Sequence, residues 1–219
     1  MAIKYIALFD LDRTIFSINS SNYLVWHAFR TRKIGIPDLM HALYLAFLYR
    51  TGWRDTFHIL NEMTSWIKGA SERNMALMAE HLIKDKLLKK IRPQIFSEIQ
   101  EHKEKGALVA ILSAALPILC HPIASILKID DVICTEMVIK NGIYTGKSKG
   151  QICYAEEKLN RLIAYCKIHG FSLEDAYYYA DSISDIFVLE KVGFPVCIQP
   201  DRRLRKAAIK NNWPIPAWS

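Results

Sequence analysis

The sequence has no CxxC pair, and its five cysteines, Cys120, Cys134, Cys153, Cys166 and Cys197, are odd in number and far apart. A disulfide framework is therefore not expected, and a reducing cytoplasmic location is. Long apolar runs are also scarce. The longest, Ile36 to Tyr49, is interrupted by Asp38 and His41 and falls short of the ~20 residues a membrane span requires, so it predicts a buried or interfacial helix. The opening MAIKYIALFD carries one lysine and lacks an extended apolar stretch with a small-residue cleavage site, so no signal peptide is expected. Internal repeats and low-complexity tracts are missing too, which sets solenoids and linker-rich architectures aside. Acids are in the minority, 22 against 29 Lys and Arg, for a net charge of +7. That balance suits an anionic partner, whether a phosphorylated metabolite, nucleic acid or an acidic membrane surface.

What is present divides in two. The apolar run Tyr5 to Phe9 predicts a buried strand, and from Phe16 to about Ile91 the apolar spacing becomes helical. Tyr23 to Arg30, Leu39 to Tyr49, Phe57 to Ile67 and Met75 to Leu88 read as roughly four helices, broken at Gly35-Ile36-Pro37, Thr51-Gly52 and Lys68 to Ser71. After Pro93 helices alternate with short apolar runs: ALVAILS, DVICTEMVI, AYYYA and PVCIQ as strand material, Asn141-Gly142 as a hairpin turn. Strands apolar on both faces and alternating with helices predict a parallel sheet covered by helices, an α/β fold. The expected division is a core of residues 1–15 and 92–219 with a helical insert over 16–91.

Three strands end in polar residues: Phe9 in Asp10, Leu112 in Ser113, Ala180 in Asp181. Ligands of open α/β sheets sit at the carboxyl ends of the strands. Asp10 and Asp12, two positions apart, would repel unless something positive lay between them. Oxygen-only ligands suit Mg²⁺, and Asp181 and Asp185 of DSISD offer further carboxylates. A carboxylate beside a phosphate ester can act as nucleophile while a neighbouring carboxyl protonates the leaving oxygen and then activates water. Ser113 and the following N–H, just before the helix opened by Pro117, offer donors for phosphate oxygens.

These residues resemble the haloacid dehalogenase superfamily of phosphohydrolases. DLDRT (Asp10 to Thr14) matches its first motif, ILSAAL around Ser113 its second, Lys158 of YAEEKLNRL its third and DSISD its fourth. The resemblance covers nearly the whole chain and is strongest to subfamily IB, which contains phosphoserine phosphatase-like and histidinol-phosphate phosphatase-like enzymes. It implies a Rossmann-like core with a helical-bundle cap of the C1 type inserted after the first motif. It also implies an aspartyl-phosphate mechanism. Asp10 would be the nucleophile, Asp12 the general acid/base, Thr14 a support for their loop. Ser113 and the Ala114 N–H would bind phosphate, and Lys158 would pair with both the phosphate and Asp10. Asp10, Asp12 (through its carbonyl), Asp181 and Asp185 would hold Mg²⁺. The sequence departs from the family pattern at Ala114-Ala115, Ala155 and Ser184, where Gly, Gly and Asn are common.

Other polar features carry local readings. Ser182 and Ser184 are expected to cap the following helix. His27, His41, His58 and His121 sit on apolar or mixed helical patterns as core or boundary residues, and Tyr177 to Tyr179 read as packing. The basic run Arg202 to Lys210 has no interleaved aromatics, so it predicts a solvated helix face and no nucleic-acid partner is expected. In the phosphoserine phosphatases that the chain resembles, a Glu in this region typically receives the substrate amine; Phe16 to Asn22 contains no acid, which weakens phosphoserine as substrate and leaves Ser17, Asn19, Ser20 and Asn22 to meet a leaving group. The expectation is a cytoplasmic, Mg²⁺-dependent phosphatase of a small phosphorylated metabolite, monomer or homodimer, without a transmembrane segment. A phosphoserine or histidinol-phosphate phosphatase specifically, or a non-hydrolytic protein on the same fold binding a partner or membrane surface, is the alternative.

Overall fold

In the computed structural model the described residues are 5–51, 59, 62 and 64–218. Phe57, His58, Leu60, Asn61 and Met63 of the expected Phe57 to Ile67 helix, and Gly52 of the Thr51-Gly52 break, lie outside them. Five parallel strands form the main sheet in the order β3-β2-β1-β6-β7. They are β1 (Ile6–Phe9), β2 (Leu108–Ser113), β3 (Asp131–Cys134), β6 (Ala176–Ala180) and β7 (Phe194–Cys197). β1 is central, with Phe9 level with Ile111 of β2 and with Tyr179 of β6.

The period-two rule assigns each strand residue to a face. Ile6, Leu8, Ala110, Leu112, Tyr178 and Ala180 join one apolar cluster, beneath the helix α6 (Glu156–His169). Ala7, Phe9, Val109, Ile111 and Tyr179 join the other, with α4 (Pro93–Glu104) and α5 (Pro117–Leu127). Both faces are buried, which is why these strands read as continuous apolar runs. Two short helices complete the core, α7 (Ile186–Leu189) and α8 (Arg202–Asn211).

Between β1 and α4 lie α1 (Ser20–Arg30), α2 (Ile36–Thr51) and α3 (Glu72–Leu82). The helical spacing through Met75 to Leu88 suggests one helix, but α3 stops at Leu82. A wider turn over Ile83–Leu87 and a tighter one over Leu88–Lys90 follow. Leu82, Ile83 and Leu87 are all buried, so packing holds the irregular turns in place. The chain leaves β1 and returns to α4 at one place: Phe16 bridges Ile91 antiparallel, Ser17 N–H donates to Lys90 O at 2.8 Å, and Arg92 N–H to Ile15 O at 2.9 Å.

DVICTEMVI yields two strands rather than one. β4 (Met137–Lys140) pairs antiparallel with β5 (Ile143–Ser148) outside the main sheet. Their turn is the expected Asn141-Gly142, both at positive φ (50° and 74°), the conformation a primed hairpin turn demands. The hairpin packs against residues 64–72, with Gly69 N–H donating to Tyr144 O and Tyr144 N–H to Ala70 O, each at 2.9 Å.

Under the sheet a polar chain crosses the core. His102 Nδ1 lies 3.0 Å from Tyr5 OH, its Nε2 2.8 Å from Tyr179 OH, and Tyr179 OH donates to Glu98 at 3.0 Å. Burial, followed by the charge of Lys105, pushes the His102 imidazole down from 6.5 to about 4. The neutral ring is therefore the folded form, and its contribution to stability is present above pH 6.5 and lost as pH falls through about 4. The difference in unfolding free energy between wild type and His102→Gln is expected to shrink across that window in urea melts; a pH-independent difference would contradict this. Gly193 N–H donates to Leu173 O at 2.9 Å, and a Cβ at Gly193 would stand 1.9 Å from the Glu174 carbonyl oxygen. Gly193→Ala should cost on the order of 3 kcal/mol in the same melts; an unchanged midpoint would contradict that contact.

Candidate active site

Asp10 follows β1 directly, with the parity of Ile6 and Leu8, and its N–H continues the ladder to Tyr179 O at 3.0 Å. That parity turns its carboxylate toward the face covered by α6. There the Lys158 ammonium donates to Asp10 Oδ1 at 2.9 Å and to Asp185 Oδ1 at 2.6 Å, with all three side chains buried. The phenol of Tyr178 closes the group, lying 3.0 Å from Lys158 Nζ and donating to Asp185 Oδ1 at 2.8 Å. Lys147 and Lys149, nearby in sequence, go elsewhere: both are exposed and Lys149 pairs with Glu136 at 3.0 Å.

The backbone entering α6 is unusual. Ala155 has φ 50°, ψ −123°, a conformation that favours glycine, and its carbonyl accepts from Lys158 N–H at 3.1 Å. The strained residue thus sets the turn that delivers Lys158. Arg13, in the turn after Asp10, also takes a positive φ, 58°. Arg92 braces that turn, its guanidinium donating to Arg13 O at 3.2 Å and to Gln199 Oε1 at 2.7 Å.

Asp181 ends β6 and Asp185 lies four residues on. Asp201 fixes their loop: its N–H donates to Asp181 O at 2.8 Å, its Oδ2 accepts from Ile183 N–H at 2.8 Å, and its Oδ1 caps α8 through Arg203 and Leu204 N–H. Ser182 accepts from Ser184 N–H at 3.3 Å, the expected cap. Carboxylate oxygens of Asp10, Asp181 and Asp185 all lie within 4.8 Å of one another.

The other sequence-predicted residues surround this centre. The Asp12 side chain is not in the carboxylate cluster; its Oδ1 accepts from Ser20 N–H at 2.7 Å, at the start of α1. Thr14 is buried, its hydroxyl without a hydrogen-bond partner among the described residues. Ser113 ends β2 beside β1, and its Oγ accepts from Ala115 N–H at 3.3 Å. Ala114 is held from below: Thr135 Oγ donates to its carbonyl at 2.8 Å and accepts from Cys153 N–H at 3.1 Å. Asn19 does not face a ligand with its carbonyl oxygen, which caps α1 by accepting from Asn22 N–H at 3.0 Å. The five cysteines are free and buried.

Three buried carboxylates lie together, two of them paired to one ammonium, and the charges show it. Burial, only partly offset by Lys158, pushes the Asp10 carboxyl up to about 6. Burial together with the charges of Asp10 and Asp185 pushes Asp181 up to about 8. Burial also raises Asp12, against the hydrogen bonds from Ser20. Burial pulls the Lys158 ammonium down, but Asp10 and Asp185 outweigh it and hold the group well above its ordinary value. The donor set is all oxygen, closely spaced and short of positive charge, which fits a hard divalent cation such as Mg²⁺.

Sequence reading missed Tyr178, Asp201, Thr135 and Arg92. Only Tyr178 carried a signal: in AYYYA it alone shares parity with the residues facing α6, so its hydroxyl had to find a partner on Lys158's side of the sheet.

Among relatives, the chain is 30% identical to a Mycobacterium tuberculosis protein named probable phosphatase, over 97% of this chain and 75% of that one. It is 26% identical to a histidinol-phosphatase of Neisseria meningitidis, over 97% of this chain and 98% of that one. A solved structure from Bordetella pertussis, a protein with unknown function, superposes with a TM-score of 0.90 at 26% identity, covering 97% and 98% of the two chains. A substrate-bound phosphoserine phosphatase shares the fold, with a TM-score of 0.71 at 19% identity over 94% and 91%. The family model of haloacid dehalogenase-like hydrolases matches residues 7–190. With motif order, parallel sheet and carboxylate cluster in agreement, the chain belongs to the haloacid dehalogenase-like hydrolase family, as a phosphoric monoester hydrolase.

Proposed function

We propose that the chain is a Mg²⁺-dependent phosphatase that hydrolyses a small-molecule phosphate monoester through an aspartyl-phosphate on Asp10. The observation that carries this reading is the buried convergence of Asp10, Asp181 and Asp185, with Lys158 paired to Asp10 and Asp185. Asp10, Asp181 and Asp185, with the Asp12 carbonyl, would hold Mg²⁺, which when bound supplies charge neutralisation for carboxylates and phosphate oxygens.

A carboxylate oxygen of Asp10 forms the bond to phosphorus as the bond to the leaving oxygen breaks. Lys158 keeps Asp10 ionised and oriented, and it offers its positive charge to the phosphate. Asp12 gives its proton to the leaving oxygen; its raised pKa favours the protonated form before the step. In the second half Asp12 takes a proton from water, the water oxygen bonds to phosphorus, and the acyl-phosphate bond breaks to restore Asp10. Ser113 and the Ala114 N–H stand at the neighbouring strand end to bind phosphate oxygens, and Thr14 supports the Asp10–Asp12 turn.

Residues 16–91 serve as a cap over a core of 1–15 and 92–219, excluding water during transfer. The substrate is a small phosphorylated metabolite, and a phosphorylated amino alcohol such as histidinol phosphate is the finer reading, supported by the end-to-end match to the Neisseria enzyme. The enzyme works in the cytoplasm; among the described residues no helix is long and apolar enough to cross a membrane.

Hydrolysis of p-nitrophenyl phosphate should require Mg²⁺ and cease with chelator, and Asp10→Asn should lower it by about a thousandfold or more while the circular dichroism spectrum is unchanged. Steady turnover by that variant would refute the covalent route. Tyr178→Phe removes a buried donor from Asp185, so it should cost about 1–3 kcal/mol of stability and lower kcat more than it raises KM. A variant identical to wild type in both would show the phenol to be packing alone.

A further inference from the structure

The outward face of α1 and α2, whose exposed side chains are not among the residues assigned to the chemistry above, carries an unusual surface. Helix α2 is apolar around most of its circumference. Leu39, Leu45 and Leu48 are buried on its inner side, whereas Ile36 is 67% exposed, Met40 59%, Leu43 43% and Tyr44 51%. These four recur at the spacing of one helical face, so the outward stripe is continuous. Trp26 of α1 is also exposed.

Charge stands beside this stripe. The turn between α1 and α2 presents Arg30, Arg32 and Lys33 to solvent, and all three line one shallow hollow together with Ile36. Residues 16–54 contain a single acid, Asp38, against Arg30, Arg32, Lys33, Arg50 and Arg54. Asp38 is engaged locally, its Oδ2 accepting from Gly35 N–H at 2.9 Å. An apolar face edged by cations and nearly free of acids is complementary to an anionic bilayer: apolar side chains enter the headgroup boundary while Arg and Lys meet the lipid phosphates. A basic second copy of this chain would bring like charges together instead.

We propose that the α1–α2 face docks on the surface of an anionic bilayer, with Ile36, Met40, Leu43 and Tyr44 inserted and Arg30, Arg32 and Lys33 against the lipid phosphates. Docking places the phosphatase at a membrane without a spanning helix, and it does not depend on the chemistry assigned to Asp10.

The full chain should co-sediment with vesicles of mixed phosphatidylcholine and phosphatidylglycerol, stay in the supernatant with pure phosphatidylcholine, and release as salt rises. Arg30→Gln/Arg32→Gln/Lys33→Gln should weaken vesicle binding on the order of a hundredfold. Met40→Glu/Leu43→Glu should abolish it. Both variants should keep the wild-type circular dichroism spectrum and p-nitrophenyl phosphate hydrolysis, since every altered side chain is exposed and none is among the residues assigned to the chemistry. Equal binding to neutral and anionic vesicles, or binding to neither, overturns the proposal. So does a lipid-free dimer in sedimentation equilibrium that the Met40→Glu/Leu43→Glu variant dissociates.

Discussion

Everything in the active centre hangs on one buried ammonium. Among the described residues Lys158 is the single buried ammonium in the cluster where three carboxylates converge, and a buried charge without a partner costs several kcal/mol. The geometry answers that cost with multiple contacts. Asp10, Asp185 and Tyr178 each approach one side of the Nζ, so its donors are used and its position is fixed by elements from three parts of the chain. A pair of this kind adds little net stability, because its desolvation cancels much of the attraction. Its value is positional. In the proposed mechanism it holds the Asp10 nucleophile in place and leaves the remaining negative charge to be balanced by a divalent cation and a phosphate.

The support of that centre is distributed with the same economy. β1 and β6 supply Asp10 and Asp181 from adjacent strand ends, β6 running one residue past the level of Phe9, and β2 ends beside β1 with Ser113. The loops beyond those ends are then tied by side chains whose own interest is elsewhere. Asp201 caps a helix and at the same time grips the loop of Asp181, and Thr135 bridges Ala114 to Cys153. Arg92, at the return from the helical insert, braces the turn in which Arg13 takes a left-handed backbone. Each of these residues reaches the reacting groups only through another.

Much of this was legible in the sequence, and the reason is physical. Parallel strands buried on both faces leave continuous apolar runs, and ligand-bearing strand ends leave polar residues at once after them, so Asp10, Ser113 and Asp181 marked themselves. Asn141-Gly142 marked its turn because few residues accept that backbone. The misses have causes of equal weight. DVICTEMVI does not reveal that its second half leaves the main sheet, because the partner of the β4–β5 hairpin is a loop some seventy residues upstream in the chain, and no local pattern encodes that contact. Residues 75–88 keep helical spacing through turns that are not α-helical. In AYYYA three identical letters stand for two jobs: Tyr177 and Tyr179 pack beside His102, while Tyr178 holds Lys158.

The hydrogen bond from Ser20 N–H to Asp12 has a consequence for how such a protein can diversify. In the proposed mechanism Asp12 handles the proton, and it is tethered to the first turn of the inserted helices, so the short connection between them closes a ring whose circumference is set by chemistry. Lengthening or shortening that connection would misalign proton delivery. Novel leaving-group preferences therefore have to arise by recolouring side chains deeper in the insert, while its threshold stays fixed.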